Sequence, residues 1–349
     1  MDVAVASVPA SVPPEYKELK RRIKSEGLLG PQTGYYTLKT ITTLAMLAAG
    51  VTIAVVAAQT WIVLLDAVFM GFVSTQIGLL AHDVAHRQAF RGPRWHEVAN
   101  LFFGNLLLGV SHTWWTAKHN QHHASPNHVD DDPDVNFPML VFAAEQIATR
   151  ARWLRPAIAI QAWLFVFILP FQSLNMRYHS VRHLWVRRPR RTILQSALLG
   201  VHFGLYGLLL AQMGAGVAVA FFCIHQATFG LYNSSVFASN HKGMEMISAN
   251  HRLGFFREQV LTSRNVKPHW LTDFWCGGLN YQIEHHLFPT LPRNRLGQAR
   301  TLVQQFCAEQ GIAYCQTSLA GSYFETFRHL HRTSSSLRHG AALAQAAAE

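Results

Sequence analysis

Four long apolar stretches constrain the fold of this chain more than any other feature. They cover residues 38–58, 61–81, 193–213 and 217–237. A helix needs about 20 mostly apolar residues to cross the hydrocarbon core of a bilayer, so each stretch is long enough to span it. Only 14% of the residues are charged, against about 25% in ordinary globular domains. The sequence therefore predicts an all-α integral membrane protein with four transmembrane helices in two hairpins.

The distribution of Lys and Arg predicts the orientation of these helices. The turns at residues 59–60 and 214–216 carry no charge, whereas residues 17–24, 87–155 and 177–191 are basic. Basic loops face the cytosol. A fifth apolar stretch, residues 156–171, is shorter and follows several arginines, and the parity of the loops requires it to lie in the interface without crossing. The remaining residues are then expected to form a cytosolic helical cap.

The two ends of the chain differ in composition from the rest. Residues 1–14 are rich in Ala, Val, Pro and Ser and lack the pattern of a cleavable signal peptide. Residues 333–349 are of low complexity. We expect a disordered lead at 1–14, one membrane domain at 15–332 and a disordered tail at 333–349. The four cysteines form no CxxC pair, which argues against a zinc ribbon or a disulfide framework.

Histidines form three spaced groups outside the four apolar stretches. They are HDVAH at His82 and His86, HNQHH at His119, His122 and His123, and QIEHH at Gln282, His285 and His286. Positions i, i+3 and i+4 share one face of a helix, so each group presents its side chains in one direction. With 20 histidines in the chain, about one HxxxH is expected by chance, and the pair His179 and His183 is such a match. An HxxHH such as HNQHH is expected fewer than about one time in ten, and the second adjacent pair, in QIEHH, lowers the chance further.

Seven histidines in three matched groups indicate a metal site, although each alone is also compatible with a hydrogen-bonded structural role. Imidazole suits zinc, copper, iron and nickel. Seven ligands exceed one tetrahedral zinc site, and the sequence has no HExxH. Two iron ions with open coordination positions would suit activation of dioxygen. The spacing of the histidines alone does not exclude two zinc ions.

The three groups, in this order along the chain, resemble the histidine boxes of the membrane fatty acid desaturases. The resemblance runs from about residue 79 to residue 292 and includes GVSHTWWTAKHNQHH, DDDPD, QVLTSRNV and GGLNYQIEHHLFPTLPR. It implies a mushroom-shaped helical fold and a centre of two iron ions held by histidines. It also implies O2-dependent insertion of a cis double bond into a fatty acyl chain.

Carried over residue by residue, the resemblance implies a set of iron ligands. They are His82, His86, His119, His122, His123, His285 and His286, with an eighth at His241, just beyond the last span. His251 is the alternative eighth ligand. Gln282 replaces a histidine of many relatives, as in front-end desaturases, and is either a weak ligand or a residue behind the ligands. The candidates for hydrogen-bonding the outer ring nitrogens are Asp83, Asp130, Asp131, Asp132, Asp134 and Glu284.

The chemistry also implies partners. The sequence has no GxGxxG, no iron–sulfur cysteine cluster and no HPGG haem motif, so we expect a separate electron donor, a ferredoxin or a b-type cytochrome with its reductase. Residues 177–191 either receive that donor or anchor the chain to the membrane. The substrate is expected to be an acyl-CoA or an acyl-lipid, and no nucleic acid is indicated. Aromatic residues that could line an acyl tunnel are Trp114, Trp115, Trp270, Phe274 and Trp275.

Two other functions remain open from the sequence. One is a fatty acyl or lipid hydroxylase on the same di-iron scaffold, because abstraction of hydrogen from carbon is common to both reactions. The other is a histidine-rich membrane protein that binds or transports metal, which predicts ligands at the membrane midplane. The sequence as a whole resembles actinomycete-type acyl-CoA desaturases without a fused cytochrome domain. We therefore expect a bacterial cell membrane, with the active site on the cytosolic face.

Overall fold

The computed structural model of the chain describes residues 13–90, 92–248 and 253–338, and these are mostly helical. In chain order the α-helices are α1 (Pro14–Ser25), α2 (Thr33–Val56), α3 (Thr60–Ala85), α4 (Pro93–Asn100), α5 (His112–Ala124), α6 (Gln146–Thr149), α7 (Arg155–Ala159), α8 (Gln161–Ile168), α9 (Gln172–Arg187), α10 (Thr192–Ala211), α11 (Ala215–Ala238), α12 (Phe255–Leu261), α13 (Trp270–Cys276), α14 (Gln282–Leu287), α15 (Leu296–Glu309) and α16 (Leu319–Thr333). A π-helix covers Leu101–Leu108, and short 3₁₀ turns cover Arg152–Leu154, Leu169–Phe171 and Arg293–Arg295. The strands β1 (Asn265–Val266) and β2 (Gln316–Thr317) pair in parallel, with Asn265 opposite Gln316.

The chain divides into two compact units. The long-helix unit comprises Pro31–Ala117 and Phe167–Val236. The short-helix unit comprises the described parts of Met1–Gly30, Lys118–Val166 and Phe237–Glu349. The predicted all-α class is confirmed for the described residues except for the two-residue pair β1–β2.

Among the described residues, four helices are long and apolar enough to cross a membrane, namely α2, α3, α10 and α11. Each coincides with one predicted stretch to within five residues at either end. The segments Arg152–Ala159 and Gln161–Arg187 pass the same test only as one span, and they are bent by 89° where they meet. The four predicted spanning helices are therefore confirmed, while the interfacial position of residues 156–171 and the cytosolic cap stay predictions.

The long-helix unit packs its helices through small residues and leaves apolar side chains outside. At Gly71 of α3, a Cβ atom would lie 2.6 Å from the Thr228 side chain of α11, so only glycine permits this approach of the two helices. Ala67 and Phe221 are fully buried between neighbouring helices. Leu65 is 60% exposed, and outward apolar side chains of this kind suit a lipid environment.

The short-helix unit has its own hydrophobic core, built from α1, α12, α14 and α15. Phe256, Ile283, Leu287, Val303 and Phe306 are buried there. Full burial of each such side chain contributes about 1.5–3 kcal/mol. Because Ile283 and Leu287 both belong to α14, the core fixes the short helix that carries the third histidine box.

The predicted lead and tail lie largely outside the described residues. Within the described part, α1 begins at Pro14. At the other end, Ser334 and Arg338 each donate a hydrogen bond to the carbonyl oxygen of Ala159, at 3.3 and 2.7 Å.

Candidate metal centre

The second histidine box lies on the C-terminal half of α5, in the short-helix unit. His119, His122 and His123 are at positions i, i+3 and i+4 of this helix, so their rings share one face. His119 and His122 are buried. The helix α5 therefore gives the three side chains of this box the common orientation that their spacing predicts.

The third box forms the whole of α14. All six residues of this helix are buried. The backbone N–H of Ile283 donates to the Asn265 side chain at 2.9 Å, which satisfies a donor at the start of the helix that has no partner within it. His285 and His286 meet the second box, with their ring centroids 4.8 and 4.2 Å from that of His123.

His122, His241 and His286 form a first cluster. Each offers one ring nitrogen, and these three atoms lie within 4.8 Å of one another. The ring centroids are 4.6 Å apart for His122 and His241, 4.6 Å for His241 and His286, and 5.1 Å for His122 and His286. His241 follows the end of α11, so three separate chain segments supply the cluster.

The outer nitrogen of each ring in the first cluster faces an acceptor. His122 Nδ1 lies 3.0 Å from both carboxylate oxygens of Asp132. His241 Nδ1 donates to the carbonyl oxygen of Thr262 at 3.0 Å, and His286 Nδ1 donates to Gln259 Oε1 at 2.9 Å. A ring that donates from Nδ1 carries a lone pair at Nε2 when it is neutral.

The three inner ring nitrogens therefore lie around one buried point, where His122 Nε2 is 3.3 Å from His241 Nε2. Burial lowers the pKa of His122, but the carboxylate of Asp132 outweighs burial and raises that pKa above its ordinary value. His286 Nε2 has no hydrogen-bond partner among the residues that the structure describes. Burial lowers the pKa of His241 to about 3 and the pKa of His286 well below its ordinary value, so both rings are neutral near pH 7. Neutral imidazole is the form that binds metals. The neutral rings of His241 and His286 thus fit a cation at this point, and His122 would join them once its inner nitrogen has released its proton.

Asp132 is the best-supported acceptor behind the first cluster. It is 0% exposed, and its carboxylate also accepts the backbone N–H groups of Asn127 and Asp134, each at 2.8 Å. Burial raises the pKa of Asp132, but His122 and Lys242 outweigh burial and hold that pKa below its ordinary value. Asp132 is therefore an ionised acceptor whose position is fixed by the backbone.

His119, His123 and His285 form a second cluster beside the first. His119 Nε2 and His123 Nε2 are 3.1 Å apart. The ring of His285 lies 4.8 Å from that of His123 and 6.2 Å from that of His119, centroid to centroid. The ring of His123 stacks on His286 of the first cluster at 4.2 Å. Six of the eight histidines expected as ligands are thus contiguous within the short-helix unit.

The first box lies in the long-helix unit, at the end of α3. His82 is buried in the last turn, and His86 follows as the residue that ends the helix. Their ring centroids are 4.8 Å apart, and the indole of Trp115 lies 5.5 Å from the His82 ring. His82 Nδ1 is 3.4 Å from the carboxylate of Asp83. The two histidines therefore share a face, as the spacing predicts.

Other residues singled out in the sequence take different places. Asp130 and Asp131 are exposed. Glu284 is buried but faces Asn265 and Tyr314, which donate to its two oxygens at 2.7 and 2.8 Å. The side chain of Glu284 therefore bonds Asn265 and Tyr314 instead of a box histidine. His251 lies outside the described residues.

Polar residues inside the predicted spans join helices. His225 of α11 bonds Ser74 of α3 at 3.0 Å and Tyr206 of α10 at 2.7 Å. His202 bonds the carbonyl oxygen of Leu106 at 3.0 Å. Such pairing is what a polar group needs when no water is available.

Sequence reasoning missed two partners of the site. Gln259 and the carbonyl of Thr262 hold the outer nitrogens of His286 and His241. Both lie in the segment QVLTSRNV, which carries part of the desaturase resemblance but no histidine. Nothing in the composition of that segment marks it as part of a metal site.

Comparison with known proteins agrees with this site. A sequence model of the family described as fatty acid desaturase matches residues 59–318. The chain is 30% identical to "Delta(6)-fatty-acid desaturase fat-3" of Caenorhabditis elegans, over 94% of this chain and 77% of that protein. It is also 30% identical to "Delta(5) fatty acid desaturase fat-4" of the same organism, over 91% of this chain and 72% of that protein.

A third relative is the "Acyl-lipid (9-3)-desaturase" of Physcomitrium patens, 30% identical over 88% of this chain and 60% of that protein. Members of this family use iron, and the first cluster is a group that could hold a metal ion. The extent of the family match and these identities show that the chain belongs to the fatty acid desaturase family and is an oxidoreductase of lipid metabolism.

Proposed function

We propose that this desaturase inserts a cis double bond into the acyl chain of an acyl-CoA or acyl-lipid, using O2, two iron ions and electrons from a separate donor. The observation that carries the proposal is the first cluster, in which one ring nitrogen each of His122, His241 and His286 lie within 4.8 Å of one another at a buried point, while their outer nitrogens face acceptors. His286 Nε2 has no hydrogen-bond partner among the described residues, and an unpaired buried acceptor is costly, so this nitrogen supports a bound cation at the point that it faces.

The proposed iron ligands are the seven box histidines and His241. The first cluster is the proposed position of one ion, and the second cluster provides ligands for the other. His82 and His86 join the set on the evidence of the sequence, as the first of the three boxes. Bound iron supplies the oxidising power that removal of hydrogen from an unactivated methylene requires and that no side chain provides.

The residues of this chain orient the imidazoles and exclude water. Asp132, Gln259 and the Thr262 carbonyl fix which ring nitrogen carries the proton, as outer hydrogen-bond partners do in metal sites. His285 and His286 are at most 1% exposed. A dry site limits side reactions with solvent. No side chain in the first cluster has to act as an acid or base for this role.

We propose front-end regiochemistry, meaning insertion between an existing double bond and the carboxyl end of the chain. Gln282 at the head of the third box supports this, since that replacement is typical of the front-end subgroup. Relatives whose names specify the Delta(6), Delta(5) and Delta(8) positions support it as well.

We also propose a bacterial cell membrane as the location, with α2, α3, α10 and α11 spanning it and the histidines on the cytosolic side. The loops rich in Lys and Arg support this orientation. On this side the centre would be open to a soluble or membrane-bound electron donor, a ferredoxin or a b-type cytochrome with its reductase.

Expression in a host that supplies a compatible donor, followed by mass-spectrometric mapping of double bonds, tests the proposal. We expect new cis double bonds and iron in the purified protein, and loss of both in His122→Ala and His286→Ala. The matched control is His329→Ala, since His329 is a partly buried histidine that bonds the Phe142 carbonyl outside the clusters.

Other products would favour other functions. New hydroxyl groups in place of double bonds would identify a hydroxylase. Zinc without iron, and no new product, would point to metal binding or transport. Unchanged iron and activity in both box variants would refute the ligand set.

A further inference from the structure

Gln282 faces the first cluster from the start of α14. Its side chain is buried, and its amide nitrogen Nε2 lies 2.9 Å from His241 Nε2. The resemblance leaves two roles for this residue, a weak ligand through the amide oxygen or a residue behind the ligands. Which amide atom faces His241 decides between these roles, because only the oxygen can bind a cation.

A backbone carbonyl settles the orientation of this amide. Asn240 Nδ2 lies 2.7 Å from the carbonyl oxygen of Leu279, an acceptor only, so this atom of Asn240 is a donor. The same Nδ2 lies 3.2 Å from Gln282 Oε1. Turning the Gln282 amide over would place two NH2 groups against each other. The oxygen of Gln282 is therefore committed to Asn240, and its NH2 group points to His241.

The tautomer of His241 agrees with this orientation. His241 Nδ1 donates to the Thr262 carbonyl, so its Nε2 carries a lone pair that accepts the N–H of Gln282. A cation bound at His241 Nε2 would take over that lone pair. The N–H of Gln282 would then be buried beside a positive charge without its acceptor, and burial of an unpaired donor is costly.

The geometry points to Gln282 as a hydrogen-bond donor to a small acceptor, water or a small anion, that binds beside His241 Nε2, and not as a metal ligand. This inference rests on the proposed metal site. In relatives with histidine at this position, the side chain can donate a lone pair to a metal. The glutamine offers no lone pair there and adds a donor, so the two versions of the third box differ in what they bind.

Cobalt(II) and azide are suitable probes, because they report metal affinity and acceptor binding without turnover. Cobalt affinity is measured by titrating the purified metal-free protein, and azide affinity by the visible spectrum of the cobalt-loaded protein. In Gln282→Leu we expect cobalt affinity within twofold of the unchanged protein, and azide affinity lower by about fivefold, the effect of one lost hydrogen bond.

Two further variants make the result decisive. Gln282→Glu replaces the donor by an acceptor, and we expect tighter cobalt binding with weaker azide binding. His241→Ala removes a proposed ligand, and we expect cobalt affinity to fall by tenfold or more.

Three results would overturn the inference. A tenfold loss of cobalt affinity in Gln282→Leu, together with the loss in His241→Ala, would make Gln282 a ligand and leave the metal site standing. Unchanged azide affinity in both Gln282 variants would refute the role of Gln282 as a hydrogen-bond donor to the bound acceptor. Cobalt affinity retained in His241→Ala would refute the metal site itself, and the inference with it.

Discussion

Replacing Asp132 by asparagine tests how the first cluster is held. The carboxylate accepts from His122 Nδ1 with both oxygens at 3.0 Å, and each oxygen also accepts one backbone N–H at 2.8 Å. Asparagine keeps the shape but has one oxygen and one NH2 group. In either orientation its NH2 group meets a backbone N–H, so one buried donor loses its acceptor.

The expected magnitudes follow from these contacts. A buried donor without an acceptor costs about 1–3 kcal/mol, and a hydrogen bond to a charged group is worth about 1.5–3 kcal/mol. Loss of an outer partner of a ligating histidine lowers metal affinity by about 10–100-fold, which is about 1.4–2.7 kcal/mol. We therefore expect Asp132→Asn to lower cobalt affinity by at least about tenfold and to lower the melting temperature.

Cobalt titration and thermal unfolding in detergent measure both effects. Asp131→Asn is the matched control, because Asp131 is the exposed neighbour in the same acidic run, and we expect no change there. If Asp132→Asn binds cobalt within twofold of the unchanged protein, the carboxylate does not orient His122 and the reasoning fails.

Three other substitutions probe separate parts of the structure. Gln259→Leu removes the acceptor of His286 Nδ1, so cobalt affinity should fall by about tenfold or more. Gln259→Glu keeps an acceptor oxygen and should retain the cobalt affinity. Equal cobalt affinities in the two variants would contradict this role of Gln259. Gly71→Ala places a Cβ 2.6 Å from a side-chain carbon of α11, so it should cost about 1–3 kcal/mol of stability in thermal unfolding, while Gly204→Ala meets open space and should be tolerated. Burial raises the pKa of Glu284 to about 7, so the folded protein favours the protonated carboxyl, and this group's stabilising contribution is lost as the pH rises from about 4.5 through 7. Glu284→Gln should therefore raise the melting temperature more at pH 7.5 than at pH 5, and an equal shift at both would argue against a raised pKa.

The sequence by itself determined the spanning helices, the helical class and the family. Hydropathy and the spacing of the boxes are local properties, so α2, α3, α10 and α11 and the common face of each box follow from residues close together in the chain. The family resemblance also singled out His241, which no spacing rule indicates.

Only the tertiary structure decided which groups surround these histidines. His122 and His241 are 119 positions apart, yet their Nε2 atoms lie 3.3 Å from each other, because the fold brings α5 and the segment that follows α11 together. Glu284 sits beside His285 in sequence but faces away, since α14 turns its side chain toward Tyr314. The orientation of the Gln282 amide depends on the carbonyl oxygen of Leu279, which makes Asn240 Nδ2 the donor to Gln282 Oε1. The partners and direction of a hydrogen bond depend on which groups the packing brings together. These groups are often far apart in the chain, so the sequence does not reveal them.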